Sequence, residues 1–125
     1  MKKKVKAKTI NFKSVFLLFI LILSFFLRFW RIADIPPALN WDEVSIAYNA
    51  YSVLKTGKDE WGKFLPLHFR AFGEYKLPFQ IYASIPGIAL FGLNEIGVRI
   101  TPVLFGTLAV LLTYLLALEI FENKK

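Results

Sequence analysis

The sequence predicts an all-α membrane protein, with two transmembrane helices joined by a large extracytoplasmic loop that carries amphipathic juxtamembrane helices. Three observations carry this. First, 56% of the 125 residues are hydrophobic, against about 45–50% in a soluble domain, and a disordered chain needs low hydrophobicity. Second, the formal charge is +7 on only 20% charged residues, so the positive charge is concentrated rather than spread. Third, apolar runs at Val15–Leu27 and Ile100–Leu118 sit where spans of about 20 residues fit. The length leaves room for two or three spans and one sizeable loop, and it excludes a many-helix transporter within these residues. There are no cysteines, which excludes disulfides and thiolate metal sites.

The chain begins with Lys2, Lys3, Lys4, Lys6, Lys8 and Lys13 and no acid among its first fourteen residues. A basic start can mean nucleic acid or a membrane surface. Here it runs straight into an apolar stretch whose one polar residue is Ser24. That is the flank of a span; it puts the N-terminus in the cytoplasm and removes nucleic acid as a partner. A cleaved signal peptide would need small residues at its exit, and Arg28-Phe29-Trp30-Arg31 stands there instead. The prediction is a basic tail at 1–13 and an uncleaved span at 14–33. Arg28 snorkels to the interface, and Phe29 and Trp30 join the aromatic belt.

Residues 34–96 form the outer loop. Pro36, Pro37, Gly57, Gly62, Pro66, Gly73 and Pro78 break up its first part. Residues 31–84 hold six basic and six acidic side chains, a neutral balance that suits the extracytoplasmic side. Asn40 is a good N-cap, with Glu43 at the capping-box spacing. Asp42 and Glu43 fall in the first turn, where the helix dipole favours anions. Val44, Ala47, Tyr48, Tyr51 and Leu54 then recur at helical spacing as an amphipathic stripe, and Gly57 suits the C′ position. This predicts a helix over about 41–55.

Phe79–Leu93 is apolar but interrupted by Pro86, Gly87 and Gly92. A second span there would make a tight hairpin and leave the C-terminus outside. We favour a juxtamembrane or re-entrant helix at about 79–92, one further span at 97–119, and a cytoplasmic tail at 120–125 ending in two lysines. Both termini are then cytoplasmic, in the cell membrane, with 34–96 outside.

Several motifs bear on function. Gly57 to Lys63 mimics a P-loop, but Phe64 stands where Ser or Thr should hold Mg²⁺, and no strand precedes it. Asp42-Glu43 is a carboxylate pair beside a span. It compensates the helix dipole, or it supplies a general base for an acceptor hydroxyl or a metal ligand. Neighbouring helical residues point about 100° apart, so one can face a site while the other closes the capping box. Lys76 and Arg99 suit interfacial anchors, or contacts to a lipid phosphate. His68 stands alone, without metal-ligand spacing, and reads as a loop histidine. Trp41 and Trp61 read as interfacial. No metal set is legible, which leaves a divalent cofactor unassigned.

Together these pieces resemble the start of a GT-C glycosyltransferase of the protein O-mannosyltransferase and aminoarabinose-transferase type, a family 39-like group. The resemblance covers residues 12–121. It runs through Leu27-Arg28-Phe29-Trp30, Ile35-Pro36-Pro37-Ala38-Leu39, Trp41-Asp42-Glu43 and Ala47-Tyr48-Asn49-Ala50. Thr56-Gly57, Trp61-Gly62 and Leu65-Pro66-Leu67 follow, then Phe72-Gly73-Glu74-Tyr75-Lys76-Leu77-Pro78 and Tyr82. It ends with Leu90-Phe91-Gly92-Leu93-Asn94-Glu95 and Val98-Arg99-Ile100-Thr101-Pro102. The family often has Lys-Pro-Pro where this chain has Lys76-Leu77-Pro78. It also carries many more spans, so the resemblance implies the N-terminal portion of such an enzyme, with the missing remainder as its partner.

What the resemblance implies is transfer of a sugar from a polyprenyl-phosphate donor, in the bilayer, to an acceptor on the outer side. Asp42 would be the base toward the acceptor or would help organise a metal, assisted by Glu43. Lys76 would meet the lipid-linked phosphate, with Tyr82 also on the substrate side, and Arg99 would be structural or near the phosphate. The alternative is a two-span membrane protein without catalysis, acting as a partner subunit.

Overall fold

The computed structural model describes residues 12–122. Residues 1–11 of the expected basic tail, and residues 123–125, lie outside the described residues. Four helices account for most of it, α1 (Phe12–Phe29), α2 (Trp41–Thr56), α3 (Pro78–Phe91) and α4 (Glu95–Glu122), with β1 (Phe69–Ala71) and β2 (Glu74–Lys76) between α2 and α3.

Helices α1 and α4 are long and apolar enough to cross a membrane. At 1.5 Å per residue they rise about 27 and 42 Å, against a hydrocarbon core of about 30 Å. They run antiparallel. Arg28, near the end of α1, lies against Gly106 of α4, while Phe12 and Phe16 share an apolar cleft with Tyr114 and Leu118. Helix α1 stops at Phe29, short of the expected residue 33, because the chain turns through 30–34 with Arg31 at φ 54°. Helix α3 has 14 residues and rises only about 21 Å.

Helix α2 has both halves of the capping box. Glu43 N donates to Asn40 Oδ1 at 2.8 Å, and Asn40 N donates to Glu43 Oε2 at 3.0 Å. Gly57 closes the helix in the left-handed region, at φ 70°. A side chain there would also meet the Phe64 ring, 2.9 Å from a built Cβ.

The buried face of α2 corrects the stripe expected from the sequence. Ile46, Ala47, Asn49, Ala50 and Val53 are buried, whereas Val44, Tyr48, Tyr51 and Leu54 stay exposed. Close packing explains this: Ala47 and Ala50 let α3 and α4 approach the α2 backbone, which tyrosines would hold apart. Buried Asn49 is satisfied, donating to Ser45 O and Glu60 Oε1 at 3.0 Å each and accepting from Glu60 N at 3.2 Å.

The core lies among α2, α3 and α4: Ile46, Ala47, Ala50, Val53, Ile81, Ile88 and Val98, with Phe69 of β1 inserted. Gly87 and Gly97 let α3 and α4 nearly touch. A Cβ on Gly87 would collide with the Gly97 carbonyl, and one on Gly97 with the Gly92 carbonyl. The strands form a two-stranded antiparallel ribbon in which Phe69 pairs with Lys76, Arg70 with Tyr75 and Ala71 with Glu74. The helical expectation did not include this ribbon.

Candidate active site

Asp42 and Lys76, 34 residues apart, come together. Lys76 Nζ donates to Asp42 Oδ1 at 2.5 Å and to Glu74 Oε1 at 2.8 Å. Asp42 is delivered by the first turn of α2. Lys76 is delivered by the ribbon, whose alternation puts Glu74 and Lys76 on one face. An ammonium has three donors; the third has no partner among the described residues. The Asp42 hydrogen bond, and then the one to Glu74, hold the Lys76 pKa above its ordinary value. The pair lines an open groove of about 440 Å³, walled by Ile46, Leu77, Phe79 and Gln80. It therefore offers an exposed carboxylate and a fixed cation against an apolar wall.

Glu43 and Arg99 form a second pair, turned away from that groove. Arg99 Nε donates to Glu43 Oε1 at 2.8 Å and Nη2 to Oε2 at 3.2 Å. Nη1 donates to Ile32 O and Pro36 O at 2.8 and 3.0 Å, and Nη2 to Ala38 O at 3.0 Å. All five guanidinium donors are used. The hydrogen bond from Arg99, opposed by burial, leaves the Glu43 pKa below the usual carboxylate range. The arrangement pins the 32–38 segment and the start of α2 to α4.

Tyr82 stands apart from both pairs. Its hydroxyl donates to Pro66 O at 3.0 Å, and its ring packs edge-on against Phe69 with centroids 5.6 Å apart. His68 lies beside Lys63 and Tyr75. Among the described residues no cluster of three or more His, Cys, Asp or Glu forms a metal site.

The family model for dolichyl-phosphate-mannose-protein mannosyltransferases matches residues 18–125, which include both pairs. The chain belongs to that family. It is an integral membrane protein of a glycosyltransferase family with the GT-C fold. Neither a curated protein sequence nor a solved structure matches it.

Around this groove, the sequence did not single out Glu74 or the walls Ile46, Leu77, Phe79 and Gln80. Glu74 and Lys76 stand two apart, the spacing of one strand face, but three-residue strands are too short to show an alternation.

Proposed function

We propose that the chain takes part in mannosyl transfer from a polyprenyl-phosphate donor to an acceptor hydroxyl, with the Asp42–Lys76 groove as its reaction site on the extracytoplasmic side. The acceptor oxygen attacks C1 of the sugar, and the bond from C1 to the phosphate oxygen breaks. Asp42 takes the hydroxyl proton, and the polyprenyl phosphate leaves as an anion. Lys76 stabilises the charge that develops on the leaving phosphate, while the sugar carbon passes through a cation-like state. Glu43 and Arg99 act as positioning residues that hold the first turn of α2, and Tyr82 fixes the wall behind the ribbon.

The observation that supports this most is the meeting of an exposed carboxylate and a fixed ammonium in an open, apolar-walled groove. A phosphate entering the groove meets the third donor of Lys76 and weakens the hold on Asp42, which then turns to the acceptor.

Membranes from cells expressing the protein test it, using a labelled polyprenyl-phosphate mannose donor and an acceptor polypeptide. Asp42→Asn should lower transfer by about 10²-fold or more, the scale of a lost general base. Lys76→Gln should mainly weaken use of the donor. Transfer that survives Asp42→Asn undiminished overturns the assignment and favours the partner-subunit role.

A further inference from the structure

The ribbon has a second face, and it carries a separate set of side chains. On β1, Phe69 and Ala71 are buried while Arg70 is exposed. On β2, Tyr75 is the cross-strand partner of Arg70. With Asp59, Trp61, Lys63 and His68 this pair lines a cleft of about 200 Å³, none of whose residues lines the Asp42–Lys76 groove.

Arg70 is pre-organised. Its guanidinium lies 4.8 Å from the Trp61 ring centroid, and the indole Nε1 donates back to Arg70 O at 3.0 Å. Stacking of this kind fixes a guanidinium plane while leaving its N–H edge available. Lys63 Nζ lies 3.4 Å from His68 Nε2, and the His68 ring sits edge-on to Tyr75 at 5.2 Å. Among the described residues, neither Arg70 nor Lys63 has an acidic side chain within ion-pair distance.

The one acid lining the cleft is engaged through one oxygen. Asp59 is buried, and its Oδ1 accepts from Trp61 N at 3.0 Å and Lys63 N at 2.8 Å. Its carboxylate shapes the 59–63 turn that brings Trp61 and Lys63 to the cleft.

We propose that this cleft binds a phosphate group, with Arg70 gripping it through its fork and Lys63 supplying the second charge. Two cations against one buried, turn-holding carboxylate leave the cleft net positive, and a guanidinium fork matches phosphate geometry. Trp61 and Tyr75 flank whatever carries the phosphate. The chemistry is shared by a water-borne phosphate and by an anionic lipid headgroup.

The test uses the full chain in detergent or neutral-lipid vesicles, with Trp30→Phe and Trp41→Phe so that Trp61 alone emits. Inorganic phosphate should change Trp61 emission saturably, with chloride at matched ionic strength giving no such change. Arg70→Gln should weaken the apparent affinity by about tenfold or more, the scale of a lost charge-assisted pair. Lys63→Gln lies on the turn outside the ribbon and should weaken it independently. Lys76→Met should leave the response in place, which separates this cleft from the reaction groove whatever the fate of the proposed transfer. A response to phosphate assigns a water-borne source. A response only to phosphatidylglycerol vesicles, still lost in Arg70→Gln, assigns a lipid headgroup. No response to either, or one unchanged in both Arg70→Gln and Lys63→Gln, overturns the proposal.

Discussion

Arg99 carries more of the architecture than any other single side chain, because five donors on one planar group tie three segments together. Its side chain and that of Glu43 are mostly removed from solvent, at 7% and 23% exposure, so the pair is not a screened surface bridge. Breaking such a pair leaves an uncompensated charge. Arg99→Lys keeps the charge but loses the fork, leaving carbonyls at Ile32, Pro36 and Ala38 short of donors. We expect it to destabilise the fold by about 2–4 kcal/mol, read as a lowered Tm of the purified protein in detergent. Glu43 adds a pH signature. Its pKa is depressed in the folded state, so its contribution is present above the unfolded carboxylate value and is lost as pH falls through the folded one. Glu43→Gln should therefore lower Tm at neutral pH and flatten the fall of Tm in acid. An unchanged acid limb would assign that fall to other carboxylates.

Among the elements, the α3–α4 contact makes the sharpest demand on side-chain size. Gly97→Ala places a methyl against the Gly92 carbonyl, which is backbone and cannot rotate away. We expect a loss of about 1–3 kcal/mol, the usual cost of overpacking. Gly106→Ala first meets the Arg28 side chain, which can give, so its Tm should fall by much less. These close approaches also show why some of the fold was legible and some was not. The α2 start was readable because a capping box is local: Asn40 and Glu43 are three residues apart, and Glu43 closing the box leaves Asp42 turned to the groove. The buried face of α2 was not readable from its apolar spacing. Tyr48 and Tyr51 fit the helical period, but the neighbouring helices select the small face with Ala47, Asn49 and Ala50. The partners of Arg99 lie 56 to 67 residues away, so no local pattern could reveal that its donors are fully used. The meeting of Asp42 and Lys76 depends on a ribbon of two three-residue strands, too short to leave a signal.

At the scale of the whole molecule, the decisive quantity is the number of crossings. Helix α3 falls well short of a hydrocarbon core, and it packs against α2 and α4 on the same side as the ribbon. Helices α1 and α4 are antiparallel, so the start of one and the end of the other share an end of the pair. The basic flank beginning at Lys2 favours the cytoplasm for that end. The opposite end then holds the Arg99 network and both ribbon faces, including the Asp42–Lys76 groove, outside. A third crossing by α3 would reverse this for everything after Phe91. Reporter fusions decide between the two: a periplasm-active reporter should work after Leu65 and fail after Lys125, and a cytoplasm-active reporter should do the reverse. Activity of the outside reporter at both positions would make α3 a span. It would also put Arg99 on the opposite side of the membrane from Glu43, which their 2.8 Å contact forbids; that outcome would refute the α2–α4 packing together with the topology.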